Sequence, residues 1–126
     1  MSKQGKSLVQ VTLSTARRGA LAKFRSGTAP IRLETGRYEN LPEASRTCIV
    51  CDTHHVENEL HTLTECAAFN DIRADAFNQF SQVIPDFVVL NNDDKLSTIL
   101  SNGLIARPAA RYGQDILEKR RTLIYL

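Results

Sequence analysis

The sequence has no tryptophan, one methionine and no apolar run longer than four residues. A helix that crosses a membrane needs roughly 18 or more apolar residues, so we expect no membrane span and no membrane partner. The N-terminal stretch MSKQGKSLVQVTLSTARR has no uninterrupted apolar segment, and we expect no secretory signal there. The chain has only three cysteines. A small, odd number of cysteines argues against a disulfide scaffold and for a reducing compartment. We therefore expect an intracellular protein, in the nucleus or cytoplasm, that is not secreted.

What the chain does contain is typical of one folded domain. Its 126 residues are 42% hydrophobic and 24% charged, and no repeat, low-complexity segment or linker divides them. Charge is distributed unevenly: residues 1–46 carry nine basic and three acidic side chains, whereas residues 47–126 carry seven basic and eleven acidic ones. This asymmetry favours an anionic partner for the N-terminal part, although solvated surface charge would give the same pattern.

Apolar spacing predicts a mainly α-helical fold with little strand. A first helix is indicated by Leu13, Ala16, Ala20, Leu21 and Phe24 on one face, with Gly27 as its C-terminal stop. Residues 28–38 contain Pro30 and Gly36 around an alternating Ile31 and Leu33, which predicts extended chain and a turn. Pro42 is expected to begin one short helical turn.

Three further helices are predicted in the C-terminal part. One follows Cys66 and ends at Pro85, a second has Asn92 as its N-cap and Gly103 after its last turn, and a third begins after Pro108. Expected core residues on the first are Phe69, Ile72, Ala76, Phe80 and Val83, and on the last Tyr112, Ile116, Leu117 and Leu123. The single domain, residues 1–126, is thus divided into a basic helix and extended arm (7–46), a metal-binding knuckle (47–67) and C-terminal helices (67–126).

All three cysteines and all three histidines lie in the segment CIVCDTHHVENELHTLTEC, residues 48–66. Cys48, Cys51, His61 and Cys66 follow the pattern C-x2-C-x9-H-x4-C, which supplies the four sulfur and nitrogen ligands of a tetrahedral structural zinc site. Buried apolar cysteines are an alternative, but they do not explain why all of these residues are concentrated here. A redox-active C-x-x-C pair is a second alternative, but it normally lies in a βαβ context, which the sequence does not show. We expect one structural Zn²⁺.

The identity of the histidine ligand is open at this point. His54 or His55 could bind in place of His61. His61 is preferred because the H-x4-C spacing places it and Cys66 at the entry of the helix that follows.

Several short motifs resemble the C-terminal zinc-binding region of reverse transcriptases from non-LTR (LINE-type) retrotransposons. They are LAKFRSG, ETGRY, LP, an Arg two residues before the first Cys, the acidic VENEL, an Arg seven residues after the last Cys and the closing ILEKRRTLIYL. The resemblance covers residues 17–77 and extends less distinctly over 13–126. It implies that Cys48, Cys51, His61 and Cys66 are the metal ligands and that Arg25, Arg37 and Arg46 are recurring basic positions.

In that family the region is implied to contact template RNA or target DNA. The chain carries no polymerase palm and no endonuclease, and NNDD at 91–94 is a helix cap rather than a polymerase motif, so we expect no catalysis and no small-molecule substrate. Arginine suits phosphate because its planar fork donates two parallel hydrogen bonds. We predict binding of RNA or single-stranded DNA before duplex, through Arg17, Arg18, Lys23, Arg25, Arg32, Arg37, Tyr38 and Arg46. Tyr38 would stack on an unpaired base, or else is a half-buried core residue.

Two other functions are compatible with the sequence. A zinc-stabilised protein-interaction module is favoured if Arg17, Arg25, Arg32 and Arg37 pair internally with Glu34, Glu39, Glu57 and Glu59. An enzyme would need a cysteine released from the metal, or a three-ligand site with Glu59 or Glu65 as the base.

Overall fold

The computed structural model describes residues 15–51 and 53–124, with side chains from Gly19 onward, and these residues are mainly helical. Within these ranges there is no strand, only an isolated antiparallel bridge between Thr47 and Val56. The predicted fold class is therefore confirmed. The helices are α1 (Thr15–Ser26), α2 (Arg32–Tyr38), α3 (Asn70–Val83), α4 (Asn92–Ser101) and α5 (Ala106–Ile124), with 3₁₀ turns at Glu43–Ser45, Ala67–Phe69, Phe87–Val89 and Gly103–Ile105 and a π-helical turn at His61–Glu65.

The last helix, α5, is the centre of the domain. It packs against α1 on one side and against α3 and α4 on the others. Its buried residues lie on one helical face, so α5 buries one stripe along its length. They are Ala109, Ala110, Tyr112, Gly113, Ile116 and Arg120. None of the described helices combines the length and the apolarity needed to cross a membrane.

The first helix forms as its apolar spacing predicts. Ala20, Leu21 and Phe24 are buried, and Gly27 has a φ of 77°, which is a left-handed conformation that favours glycine. The Thr28 amide donates to the Lys23 carbonyl at 2.9 Å and closes the helix end. The side chains of Ala16, Arg17 and Arg18, and all of Leu13, lie outside the described residues.

The prediction of extended chain after residue 30 is wrong for Arg32–Tyr38, which form α2. The signals that start this helix come from a distant segment. The Arg32 amide donates to the Glu57 carboxylate at 2.7 Å, and the Leu33 amide donates to the Glu57 carbonyl at 2.9 Å. Because unsatisfied amides at a helix start need partners, a tertiary contact overrides the local turn signals of Pro30 and Gly36. The short turn predicted after Pro42 is confirmed at Glu43–Ser45.

The C-terminal helices are where the sequence predicts them, with shifted ends. The N-cap of α4 is Asn91, whose side chain accepts from the Asp94 amide at 2.8 Å, and not Asn92. Helix α5 begins at Ala106, because Pro108 is tolerated within a first turn whose amides have no intrahelical partner.

Most of the predicted core residues of these helices are buried, including Phe69, Ala76, Phe80, Tyr112 and Ile116. Ile72 and Leu117 are partly buried and pack against the core. Two predictions fail: Val83 is 47% exposed and Leu123 is 37% exposed. Each lies in the last turn of its helix, where the neighbouring elements no longer cover the predicted face.

Candidate metal centre

Four side chains converge on one point. The Sγ atoms of Cys48, Cys51 and Cys66 and a ring nitrogen of His61 all lie within 4.8 Å of one another. Cys48 Sγ is 3.8 Å from Cys66 Sγ, and Cys51 Sγ is 3.3 Å from His61 Nε2. A tetrahedral ion with sulfur at 2.3 Å separates two sulfurs by about 3.8 Å and sulfur from nitrogen by about 3.6 Å. The four predicted ligands are therefore spaced so that they could hold one metal ion.

The first two ligands are presented by a narrow loop. The bridge between Thr47 and Val56 brings its two arms together, and the Cys48 amide donates to the His55 carbonyl at 2.8 Å. The chain then turns, so that Cys51 comes back towards Cys48. Two thiols are thus presented by one tight turn, as the C-x2-C spacing predicts.

The other two ligands are held by a π-helical turn. The Cys66 amide donates to the His61 carbonyl at 2.7 Å, a bond between residues five apart. The start of the turn is capped by Asn58, whose side chain accepts from the His61 amide at 2.8 Å. The H-x4-C spacing therefore corresponds to one wide turn that precedes α3.

The two ring nitrogens of His61 face different groups. Nε2 faces Cys51, and Nδ1 lies 3.5 Å from Glu65 Oε1 without a hydrogen-bond partner among the described residues. Ligating histidines usually donate their second ring N–H to a carboxylate or carbonyl, which fixes the ring and the tautomer. Glu65 is placed for that supporting role, on the side of the ring away from the ligand cluster.

The three histidines have different positions relative to the cluster. His61 belongs to it, whereas His54 and His55 are exposed and lie outside it, which favours His61 as the histidine that could hold a metal. The His55 ring packs beside the His61 ring, with 5.5 Å between centroids and 37° between planes. His54 has a φ of 60°, which marks a sharp bend in the loop.

Proximity perturbs the pKa values of Cys48, Cys66 and His61. The hydrogen bond to Cys66, together with burial, raises the pKa of Cys48 to about 12. That same hydrogen bond lowers the pKa of Cys66. The hydrogen bond to Cys48, with a further contribution from Cys51, raises the pKa of His61 to about 9. A metal binds the deprotonated forms of these groups, so the raised pKa values of Cys48 and His61 oppose metal binding at low pH.

A buried arginine ties the second ligand pair to the core. The Arg73 guanidinium donates to the carbonyls of Thr62 and Cys66 at 3.0 and 2.8 Å, and its Nε is 3.2 Å from the Tyr112 hydroxyl. Tyr112 in turn donates to the Leu63 carbonyl at 2.7 Å. The π-helical turn is thus fixed to α3 and α5. In the sequence, Arg73 was noticed only because it resembles a position of the retrotransposon family. Nothing in the sequence indicated its hydrogen-bond partners.

A second buried contact ties the loop to α5. Arg120 donates from Nε and Nη2 to the two Glu57 oxygens, both at 2.7 Å. Glu57 is fully buried. Its partner lies 63 residues away, too far for sequence spacing to reveal.

The predicted basic residues have unequal roles. Arg46 donates to the carbonyls of Leu33 and Leu41 at 2.9 and 3.0 Å, so its guanidinium holds α2 against the loop. Arg32 pairs with Glu39 at 2.6 Å and Arg37 with Glu34 at 3.2 Å.

The cations of α1 have a different environment. Lys23 and Arg25 are exposed, and Arg25 donates to the Leu100 carbonyl rather than to a carboxylate. Arg17 and Arg18 have side chains outside the described residues. Tyr38 is 77% exposed, with its hydroxyl 3.3 Å from Glu34, so it is not a core residue.

Comparison with known proteins identifies no family for this chain. No family model, no curated protein and no solved structure matches this chain.

Proposed function

We propose that this chain is a zinc-stapled module that binds nucleic acid, RNA or single-stranded DNA before duplex, without catalysis of its own. The observation that carries the proposal is the composition of α1, which has four basic residues and no acidic one. Such a helix attracts phosphate through a contact that is largely blind to sequence and weakened by salt.

Zinc is the metal that fits the donor set best. Three thiolates and one imidazole in a tetrahedral arrangement are typical of structural zinc sites, whereas hard cations prefer oxygen ligands. Four protein ligands leave no position for water, so the ion would supply folding free energy and no hydroxide. The Glu65 carboxylate lies beside the His61 ring and not beside a free coordination position of the metal, which argues against Glu65 as the general base of an enzyme.

The zinc would act on the basic surface indirectly. It holds the loop that carries Glu57, and Glu57 holds both the start of α2 and the end of α5. Because α1 packs against α5, the cations of α1 and α2 would be displayed on a scaffold whose geometry depends on the metal.

One of the paired arginines remains well suited to phosphate. The Arg37 side chain is 59% exposed, and ion pairs at the surface are worth roughly 0–1 kcal/mol, so a phosphate can displace Glu34 from Arg37 at little cost. The Arg32 side chain is only 17% exposed and is less accessible. Arg46 is different, because removing its guanidinium from two carbonyls would leave partly buried acceptors without donors. Tyr38, with its ring in solvent, could stack on an unpaired base.

The relation to retrotransposon reverse transcriptases is part of this proposal. The residues that carry the resemblance lie mostly at framework contacts: Arg46 against α2, Glu57 against Arg120, and Arg73 across the π-helical turn. The resemblance therefore supports a shared fold more directly than a shared ligand, and the nucleic-acid proposal rests on α1.

A protein-interaction module is the second candidate. It is favoured by the pairing of Arg32 and Arg37 with Glu39 and Glu34, which reduces the basic surface outside α1. It is also favoured by exposed apolar side chains at Val88, Val89 and Leu104.

Fluorescence anisotropy separates the two candidates. Zinc-loaded protein is titrated into labelled RNA, single-stranded DNA and duplex DNA at several salt concentrations. An Arg25→Ala/Arg37→Ala variant is compared with Arg107→Ala/Arg111→Ala, a control that removes the same charge from the exposed start of α5. We expect steeply salt-dependent binding that the first variant weakens more than the control. No binding at low salt by folded, zinc-loaded protein overturns the proposal and leaves the interaction module.

A further inference from the structure

A groove of about 460 Å³ lies between α1, α2 and α5. Its walls include Gly19 and Lys23 from α1, Thr35 from α2, and Gln114, Arg120 and Arg121 from α5. The groove thus borders α1, the helix on which the proposed function rests. It also brings Arg121, from the far end of the chain, beside α1; Arg121 was not predicted from the sequence as a contact residue.

The charges around this groove have one sign. Among its described lining residues three are basic and none is acidic. The Arg120 charge is compensated by Glu57 beneath it. Lys23 and Arg121 are exposed, and no described carboxylate lies within 4.0 Å of either. The two side chains therefore give the groove a net positive potential.

The neighbouring groove between α3 and α5 is a useful contrast. It is lined by Asp71, Asp75 and Asp115 together with Arg111, so it offers an anion no net attraction. Unlike that groove, the one beside α1 combines concave shape with uncompensated positive charge. A third groove is lined by Arg107 and Arg111 and by no described acidic residue, but Arg111 is paired with Asp115.

The polar and steric features of the α1 groove also suit a phosphodiester. Thr35 and Gln114 offer neutral hydrogen-bonding groups beside the two cations. At Gly19 a Cβ would meet no atom within 4 Å, so the groove is open along that side of α1. A sugar–phosphate backbone could therefore approach the helix closely.

We propose that this groove is the site at which the phosphodiester backbone of a single-stranded nucleic acid binds, with Lys23 and Arg121 as the contacting cations. The inference rests on the proposed function and assigns the nucleic-acid contact to one groove. Arg121 offers a planar fork to phosphate oxygens, and Lys23 contributes a point charge from the opposite wall.

The test uses three zinc-loaded, full-length variants and a labelled single-stranded oligonucleotide. Lys23→Gln/Arg121→Gln removes the two groove charges. Arg107→Gln/Arg111→Gln removes the same charge from another part of α5 and is the control. Gly19→Leu leaves the charge unchanged, fills the open side of the groove, and replaces a helical glycine with a better helix former.

We expect the groove double variant to lose about tenfold or more in affinity and to show a log–log salt slope shallower by about 1.4, the contribution of two phosphate contacts to a single strand. The control should lose clearly less. Gly19→Leu should weaken binding with the salt slope reduced in the same direction.

The outcomes distinguish this site from the broader proposal. If wild-type protein does not bind, the proposed function fails. If wild-type protein binds but the two double variants lose equal affinity, the groove assignment is overturned and binding follows net charge alone. Wild-type affinity in Gly19→Leu also overturns it. Should Gly19→Leu lose its zinc or its helical circular dichroism, the two charge variants decide the question.

Discussion

The Glu57 carboxylate and the Arg120 guanidinium form a bidentate pair, with both hydrogen bonds at 2.7 Å, in the interior of the protein. Glu57 lies in the loop between the ligand pairs, and Arg120 lies near the end of the last helix. The same carboxylate accepts the Arg32 amide at the start of α2. One side chain thus joins the metal loop, the second helix and the C-terminal helix.

Breaking this pair from the arginine side should be strongly destabilising. Arg120→Met leaves a charged, fully buried carboxylate without its partner, and we expect a loss of about 3–5 kcal/mol in the free energy of unfolding. The measurement is urea denaturation of the zinc-loaded protein.

The control for that experiment is Arg37→Met, which removes an arginine whose own side chain is 59% exposed from a pair with Glu34. We expect this substitution to cost roughly 0–1 kcal/mol. Equal effects of the two substitutions would show that the interior pair has no special role.

Two glycines are predicted to respond oppositely to alanine. At Gly36 a Cβ would lie 2.6 Å from Arg46 Cγ, and the Arg46 guanidinium is held by two carbonyls, so Gly36→Ala should destabilise by about 1–3 kcal/mol. At Gly113 a Cβ would meet the Phe24 ring at 3.6 Å, an ordinary contact. Gly113→Ala should therefore stabilise the protein by up to about 1 kcal/mol through helix propensity.

Thermal unfolding of both variants with zinc bound tests this pair of predictions. A stabilised Gly36→Ala protein would mean that Arg46 can move aside without loss, which contradicts its structural role.

Metal affinity should rise with pH. The pKa of His61 is raised to about 9 and that of Cys48 to about 12, so both groups are protonated at neutral pH in the metal-free fold. A metal binds the deprotonated forms, so each of these protons must leave on binding. Below pH 9 we expect about two protons to be released from these two groups.

Competition with a chelator of known affinity between pH 6 and 8 measures the effect. An affinity independent of pH over this range would mean that these ligands are already deprotonated, contrary to the environment described above.

The sequence predicted well whatever depends on local pattern. The helical face of Ala20, Leu21 and Phe24, the Gly27 stop and the four converging ligands all follow from spacing and composition. It failed where a distant residue provides the deciding contact. Helix α2 depends on Glu57, and the partners of Arg73 and Arg120 lie across the fold, so neither local propensity nor charge pattern could reveal them.

The function-bearing surface was harder to predict for the same reason. Arg46 and Arg37 are both arginines in a basic segment, yet Arg46 is bound to backbone carbonyls, whereas Arg37 is exposed and paired with Glu34. Conversely, Arg121 belongs to the acidic half of the chain and reaches the groove beside α1 only because α5 packs against α1.

The most direct test of this account is the zinc content of purified protein, measured together with its circular dichroism before and after chelation. We predict one zinc per chain, loss of zinc in Cys48→Ser and His61→Ala, retention in the matched His55→Ala variant, and loss of helical signal when the metal is removed. A chain that binds no zinc, or that keeps its full helical signal and stability without it, would contradict the claim that a metal holds this fold together.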